Sequence, residues 1–137
     1  GTSDRAFVSY RGTVERLCER DLNKAELMSR RTGHVHFAAY YDCTGLQASM
    51  PGLMAEARAH GATISLVPQS DQSGEWNTEL QSMLNLVDVL ICSEEEVTMM
   101  THLDRDQVDE AIATLLDKDC PLIVVTRGKE GAIAVSR

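Results

Sequence analysis

The feature that most constrains the fold is a series of short apolar runs, each separated from the next by a stretch with helical spacing. In chain order the runs are HVHFAAY, ATISLV, VDVLICS and PLIVVT, and a further run, GAIAVS, follows the last of them. Short runs rich in β-branched residues predict strands, and strands that alternate with helices predict a parallel, doubly wound α/β sheet. The continuous apolar character of the runs also predicts strands that are buried on both faces.

The segments between the predicted strands carry apolar residues at the spacing of one helical face. The first helix is predicted to begin at Pro51, because proline suits the first helical turn, and to end before Gly61, a good C-terminal cap. The last is predicted to begin with Asp104 as its N-cap. The apolar positions are Leu46, Met50, Leu53, Met54 and Ala57 in the first segment, Leu80, Met83, Leu84 and Val87 in the second, and Val108, Ile112, Leu115 and Leu116 in the third.

Composition sets limits on the class of protein. The 137 residues suit one domain, and a hydrophobic content of 43% argues against disorder. The net charge of −8, without a tract rich in Lys or Arg, argues against nucleic acid or an anionic membrane as a partner. The four cysteines include no Cys-x-x-Cys pair, which predicts free thiols in a reducing, cytoplasmic compartment. No apolar run is long enough to cross a bilayer.

Two loops that follow predicted strands contain residues suited to ligand binding. In VVTRGKEGA, Thr126 ends a strand, and Gly128 and Gly131 follow it. A hydroxyl at a strand end can donate to a phosphate oxygen, and glycines let backbone N–H groups approach an anion. The same residues fit a tight hairpin in which glycine supplies positive φ, so the residues alone leave both interpretations open. The loop at 68–76 leaves the carboxyl end of a strand, where open α/β sheets bind ligands.

Five stretches, taken in order, resemble the PfkB or ribokinase-like carbohydrate kinases. They are DRAFVSYRG (the lid strand), HVHFAAYYDCTGL (the strand and loop before the central helix), GATISLVPQSDQSGEW (the substrate-side strand and loop), VDVLICSEEEV (the Asn-x-x-Glu segment) and VVTRGKEGA (the nucleotide turn). The resemblance implies a ribokinase-like, Rossmann-type three-layer sandwich with a mostly parallel sheet. It implies a single partial kinase domain over residues 1–137, with a partial lid strand at 1–12 and an α/β core at 33–137.

The resemblance implies transfer of the γ-phosphoryl group of ATP to a hydroxyl of a small-molecule sugar substrate, with ATP and Mg²⁺ as cofactors. The family's catalytic Asp lies in a Gly-Ala-Gly-Asp segment that has no match in this sequence, so no catalytic residue is assigned and the chain alone is expected to be inactive. The residues implied are Thr126, Arg127, Gly128 and Gly131 at the nucleotide, Glu96 at the metal, and Arg5 and Tyr10 in the lid over the substrate.

Each of these assignments has a simpler alternative in the residues themselves. Ser93-x-x-Glu96 is also a capping box, which satisfies the first backbone N–H groups of a helix. Tyr10 fits plain strand alternation as well as a lid, and Arg127 fits a solvated turn. For Trp76, a position that caps the core is favoured over stacking on a nucleotide base.

Two positions depart from the family pattern and keep a second function open. Ser93 stands where the family has Asn, and Val67 stands where many members have Asp. Asp71 could replace the missing carboxylate, although a solvated loop acid is the favoured interpretation. The departures are compatible with a non-catalytic interaction or oligomerisation domain derived from a kinase, and exposed sheet edges predict a homo-oligomer. A flavodoxin-like domain is disfavoured, because AAYYDCTGL is a poor phosphate loop.

His34 and His36 share one face of a predicted strand, because they are two residues apart. Imidazole nitrogens can bind a metal, but no Cys or carboxylate nearby in the sequence completes a set of ligands. A metal site at these two residues is therefore disfavoured on the sequence alone.

Overall fold

A five-stranded sheet forms the centre of the computed structural model, which describes residues 10, 12–29, 31–76 and 79–137. The strands lie side by side in chain order; the first three pairings are parallel and the last is antiparallel. The prediction of an α/β fold with a mostly parallel sheet is confirmed. The strands are β1 (His34–Ala38), β2 (Thr63–Val67), β3 (Val89–Ser93), β4 (Leu122–Thr126) and β5 (Ala132–Ser136).

Helices connect the parallel strands, and the longer ones have the faces that the sequence predicts. In the described residues the α-helices are α1 (Thr13–Arg16), α2 (Lys24–Leu27), α3 (Thr44–Gln47), α4 (Met50–Ala59), α5 (Glu79–Ser82), α6 (Glu94–Thr101) and α7 (Val108–Leu116). Three short 3₁₀ turns lie at Glu19–Asp21, Leu84–Leu86 and Gly128–Glu130.

The apolar faces predicted for the connecting segments form the core. Every residue predicted for the first two segments is buried, as are Ile112 and Leu115, whereas Val108 and Leu116 are partly buried against the core. The second segment is not one continuous helix, because α5 ends at Ser82 and a 3₁₀ turn follows it. Trp76 is also buried, as predicted.

The strand order differs from the prediction of a doubly wound sheet. The order does not reverse within the described residues, and right-handed crossovers that always move in the same direction leave their helices on one face. Burial alternates accordingly: Val35 and Phe37 of β1 are buried, whereas His34 and His36 are exposed. The expectation of strands buried on both faces is therefore wrong for β1, whereas β2 is buried at three consecutive positions, Ile64, Ser65 and Leu66. We call the less buried side, which carries the two histidines, the open face.

An ion pair fixes the beginnings of two central strands. Arg58 at the end of α4 binds both carboxylate oxygens of Asp88 through Nη1, each at 2.8 Å. Oδ2 of Asp88 also accepts a hydrogen bond of 2.7 Å from the backbone N–H of Ile64. The carboxylate thus links a helix, β2 and the residue before β3, and holds the two strands in register.

The lid strand predicted at 1–12 stays a prediction. Arg5 and most of the predicted lid strand lie outside the described residues, whereas Tyr10 is described and has no regular secondary structure.

None of the four cysteines is in a disulfide, and Cys43, Cys92 and Cys120 are buried, so the prediction of free thiols is confirmed. Among the helices of the described part of the chain, none combines the length and the apolarity needed to span a membrane.

Candidate functional site

The carboxyl ends of the four parallel strands bring the predicted site residues to one edge of the sheet. The segments that follow β1, β2, β3 and β4 all leave the sheet at this edge, because the strands run in the same direction. Ser93 and Thr126 are register partners at the ends of β3 and β4. The predicted metal residue Glu96 and the predicted nucleotide turn therefore begin from neighbouring positions.

Glu96 is held by a capping box at the start of α6. The backbone N–H of Ser93 donates to Oε2 of Glu96 at 2.7 Å, and the backbone N–H of Glu96 donates to Oγ of Ser93 at 3.2 Å. The capping-box interpretation is confirmed, because both reciprocal bonds are present. The carboxylate is half-buried at the N-terminus of α6.

The turn after β4 is a tight hairpin that requires both of its glycines. The backbone N–H of Arg127 donates to the carbonyl oxygen of Gly131 at 2.8 Å, and that of Gly131 donates to the carbonyl oxygen of Gly128 at 3.2 Å. Gly128 and Gly131 have φ of 56° and 88°, where side chains are disfavoured. The hairpin interpretation is therefore confirmed. Nothing in this geometry conflicts with a nucleotide contact, which stays a prediction.

Thr126 is exposed at the end of β4, with its hydroxyl directed to the neighbouring strand. Its Oγ1 donates to the carbonyl oxygen of Cys92 at 3.4 Å, a long and therefore weak hydrogen bond. A hydroxyl with such a weak internal bond can exchange it for a phosphate oxygen at little cost.

Arg127 has an internal partner that the sequence did not suggest. Its Nε donates to Oε1 of Glu94 at 2.6 Å, and this bond raises the pKa of the guanidinium. Glu94 is the first residue of α6, thirty-three positions earlier in the chain. The charge of Arg127 is thus already compensated, which weakens the prediction that it neutralises a phosphate. Lys129, in the same turn, is exposed.

A polar cleft lies at the same edge, beyond the ends of β1 and β2. Its volume is about 1270 Å³. Tyr10, which is 93% exposed, lines it from the N-terminal side. The other lining residues that matter for recognition are Arg16, Asp42, Gln69 and Ser73. Hydroxyl, amide, carboxylate and guanidinium groups of this kind suit a ligand with many hydroxyls.

The loop at 68–76 is organised by Asp71, a role that the sequence analysis missed. Its carboxylate accepts hydrogen bonds from the backbone N–H of Ser73 at 2.9 Å and from that of Trp76 at 2.8 Å. The hydroxyl of Ser73 also donates to it at 2.8 Å. Asp71 is thus not the solvated acid that we favoured. The Asp-x-Ser-Gly sequence, which is typical of a turn closed by an Asp side chain, was the available signal.

Trp76 anchors this loop to the core. Its ring packs edge-on against Tyr41, with ring centroids 5.2 Å apart, and Tyr41 contacts Tyr40 in the same way at 5.0 Å. Burial raises the pKa of the Tyr41 phenol, so this hydroxyl stays neutral. The aromatic cluster thereby anchors the loop at 68–76, which lines the cleft through Gln69 and Ser73. Val67, at the end of β2 before this loop, is half-buried and offers no polar group.

The predicted residues therefore fall into two groups at one edge. Glu96, Thr126 and the hairpin lie at β3 and β4, whereas Tyr10 lies at the cleft beside β1 and β2. Arg5 is outside the described residues. Within the described part of the chain, no group of three or more His, Cys, Asp or Glu side chains is arranged to hold a metal ion. Glu96 would bind a hydrated Mg²⁺ through Oε1, because Oε2 accepts the backbone N–H of Ser93.

Comparison with known proteins gives one family. The model of the pfkB family carbohydrate kinases matches residues 1–137. A search of curated proteins found no match to this sequence.

Solved structures of similar fold include sugar and nucleoside kinases. A putative ribokinase II from E. coli, in complex with ATP and Mg²⁺, has a TM-score of 0.74 and 21% identity over 97% of this chain and 44% of its own. A fructokinase from Vibrio cholerae O395, with fructose, ADP and calcium bound, has a TM-score of 0.65 and 24% identity over 84% of this chain and 39% of its own.

An adenosine kinase from Sinorhizobium meliloti has a TM-score of 0.68 and 21% identity, over 88% of this chain and 36% of its own. This chain therefore spans less than half the length of these three proteins. At these identities the likeness shows the fold, and it confirms the predicted ribokinase-like α/β class.

Proposed function

The chain belongs to the pfkB family of carbohydrate kinases, and we propose that it forms part of an ATP-dependent enzyme that transfers the γ-phosphoryl group to a sugar hydroxyl. The observation that carries the proposal is the pairing of Ser93 with Thr126, which puts the Glu96 helix and the glycine hairpin side by side at the carboxyl edge of the sheet. Because the chain spans less than half of the kinases it resembles, the activity, substrate and partners of a whole protein are all part of the proposal.

The chemistry of phosphoryl transfer asks the protein mainly for position and charge compensation. In the proposal, the Thr126 hydroxyl and the backbone of the hairpin contact the phosphates of ATP. Glu96 holds a hydrated Mg²⁺ with the carboxylate oxygen that the capping box leaves available. The related ribokinase II has ATP and Mg²⁺ bound, which supports this pair of cofactors.

The acceptor would bind on the other side of the edge, in the polar cleft. Its lining of hydroxyl, amide and charged groups suits the hydroxyls of a sugar. The fructokinase structure, which contains fructose, supports this class of substrate. Tyr10 projects at the rim of the cleft and would cover the bound substrate, which would limit the access of water to the reacting phosphate.

A non-catalytic interaction domain is the second candidate. It is favoured by Val67, which puts an aliphatic side chain where many relatives have a carboxylate, and by Ser93, which lacks an amide donor. It is also favoured by the ion pair of Arg127 with Glu94, which compensates the charge that a phosphate would meet. In this alternative the chain binds other copies of itself, and the exposed outer edge of the sheet at β5 is available for such pairing.

Titration of the ¹⁵N-labelled chain with Mg-ATP tests the proposal. We expect amide shifts at Thr126, Gly128 and Gly131 with a millimolar dissociation constant. The expected affinity is low because this chain spans less than half of the kinases it resembles, so it would supply only part of the contacts to ATP. The loss of three hydrogen bonds to charged groups, at about 1.5–3 kcal/mol each, would weaken the affinity of a complete site by roughly a thousandfold or more. The shifts should disappear in Thr126→Val and Gly128→Val and should need magnesium.

Thr114→Val is the matched control, because Thr114 lies on α7 and its hydroxyl donates to the carbonyl of Glu110 within that helix. The proposal fails if millimolar Mg-ATP leaves the hairpin amides unmoved while the remaining spectrum shows an intact fold. In that event, dimerisation measured by sedimentation equilibrium at micromolar concentration would support the interaction domain instead.

A further inference from the structure

Two histidines on the open face of the sheet converge on one buried serine. His34 and His36 are exposed on β1, the strand at the edge of the sheet, and Ser65 on the adjacent strand β2 is only 5% exposed. The Nε2 atom of His34 lies 2.8 Å from Oγ of Ser65, and the Nδ1 atom of His36 lies 2.7 Å from the same oxygen. Two imidazole nitrogens are thus directed at a single point.

A threonine fixes the tautomer of the first histidine. Nδ1 of His34 lies 2.8 Å from Oγ1 of Thr63, and this hydroxyl donates its own proton to the carbonyl oxygen of Gly33 at 3.2 Å. Because Thr63 has only one proton to donate, the Nδ1 of His34 must be the donor in its bond to Thr63. The neutral ring therefore carries its lone pair on Nε2, and that lone pair faces Ser65.

The second histidine is free to change its tautomer. Ser65 donates its one proton to Nε2 of His34, so the neutral ring of His36 donates to Ser65 through Nδ1. The ring of His36 is exposed, and transfer of its proton from Nδ1 to Nε2 would leave Nε2–H facing solvent. The lone pair on Nδ1 would then face the same point as that of His34.

We infer that His34 and His36 chelate a divalent transition metal of the zinc class, with Oγ of Ser65 beside the ion. Neutral imidazole nitrogens are suitable ligands for zinc, nickel and copper. The bond between zinc and such a nitrogen is about 2.0–2.1 Å long. The contact of Thr63 with Nδ1 of His34 is the kind of outer hydrogen bond that orients a metal-binding histidine. Water completes the coordination, and the bond to Thr63 keeps Nε2 of His34 directed at the ion.

This site is separate from the proposed magnesium position. It lies on the first half of β1, whereas Glu96 and the hairpin lie at the carboxyl ends of β3 and β4. Its donors are nitrogens, whereas Mg²⁺ prefers oxygen ligands. The inference therefore does not depend on kinase activity.

Calorimetric titration of the reduced chain with zinc chloride tests the inference. The expected stoichiometry is one zinc ion per chain. We expect His34→Asn and His36→Asn each to lower the affinity at least tenfold, and Thr63→Val to lower it by about 10-fold, as is typical of an outer-shell residue. The matched controls are His60→Asn and His102→Asn, which alter the two remaining histidines, both exposed, and Cys18→Ser, which removes the one thiol that is not buried. These three variants should keep the affinity of the parent.

Long-range ¹H–¹⁵N spectra of the imidazoles give an independent readout. Without metal, His34 should be the Nδ1–H tautomer, and zinc should shift its Nε2 and the Nδ1 of His36 most strongly. Unaltered affinity in the His34→Asn, His36→Asn double variant would overturn the inference, provided that its thermal unfolding matches that of the parent. One zinc per two chains would also overturn it, because the ion would then bridge copies rather than bind within one.

Discussion

Ser93 combines a structural role with a departure from the family pattern. Its hydroxyl accepts the N–H of Glu96, and the Glu96 carboxylate accepts the N–H of Ser93 in return. Serine and asparagine are comparably good N-caps, so the change from Asn keeps the helix start while it removes an amide donor from the site. This residue therefore separates stability from ligand binding.

Two substitutions at position 93 test this separation. Ser93→Ala should lower the free energy of unfolding by about 1 kcal/mol, because the side-chain acceptor for the first turn of α6 is lost. Ser93→Asn should stay within a few tenths of the parent, as expected for two residues of similar capping strength. Urea unfolding measures both. An alanine variant as stable as the parent, or an asparagine variant as unstable as the alanine one, would contradict the role.

Some single-residue roles could be predicted from the sequence and others could not. The capping box was visible, because its partners are three positions apart. The pairing of Arg127 with Glu94 was not, because the two residues meet only when β3 and β4 pair. Likewise, His34 and His36 had no visible third partner, since Ser65 reaches them only across the β1–β2 pairing.

Two glycines, Gly131 in the β4–β5 hairpin and Gly52 in α4, differ in what an added side chain would cost. A Cβ added at Gly131 would meet no atom within 4 Å, so its cost is conformational rather than steric. Gly131 has φ of 88° and ψ of −130°, a region that residues with a side chain rarely adopt. Gly52 lies inside α4, and a Cβ there also meets nothing within 4 Å.

The two glycines should respond to alanine with opposite sign. Gly131→Ala should lower the free energy of unfolding by about 1–3 kcal/mol, because it forces a disfavoured backbone conformation. Gly52→Ala should raise it by about 0.4–1 kcal/mol, because alanine reduces the freedom of the unfolded chain and favours the helix. Denaturant unfolding of both variants gives the comparison. A Gly131→Ala variant as stable as the parent would show that the hairpin is not held in this conformation.

The strands were predictable at the level of elements, whereas helix boundaries were less so. Each apolar run contains one observed strand, because β-branched runs between turn residues have few alternatives. The N-cap predicted at Asp104 is wrong: α7 begins at Val108 after Gln107. The side chain of Gln107 accepts the N–H of Asp104 at 3.0 Å, and the N–H of Gln107 donates to the carbonyl oxygen of Asp104 at 2.9 Å, so residues 104–107 form a turn instead. An acidic residue can cap a helix or belong to a turn that precedes it, so its presence in the sequence does not fix the first residue of the helix.

At the scale of the whole molecule, the direction of winding was the main feature that the sequence left undetermined. A strand–helix–strand pattern predicts parallel pairing, but the pattern is the same whether the next strand is added on one side or the other. Here every strand is added on the same side, which leaves an open face with alternating burial. The apolar runs predicted strands buried on both faces. The composition of a strand does not reveal whether helices cover one face of the sheet or both, and this is why the prediction went too far.

The core of the molecule contains several weak acids that burial keeps neutral. Burial raises the pKa of the thiols of Cys43, Cys92 and Cys120, and of the phenols of Tyr40 and Tyr41. When the pKa of a weak acid is higher in the folded state than in the unfolded state, its contribution to stability is fully present at pH values below the unfolded-state pKa, where the group is neutral in both states. As the pH rises through its ordinary value, the unfolded chain loses its proton first, and that stability is lost.

The free energy of unfolding should therefore fall as the pH rises above the ordinary thiol pKa of 9.0. Cys92 is the most strongly affected thiol, because burial raises its pKa most, and at one pH unit above this value it alone should account for roughly 1 kcal/mol of the fall. Urea unfolding under reducing conditions, at about pH 8 and about pH 10, measures the difference. The loss should be smaller by about that amount in Cys92→Ala. An identical pH dependence in the parent and in Cys92→Ala would show that the buried thiol ionises without opposing the fold.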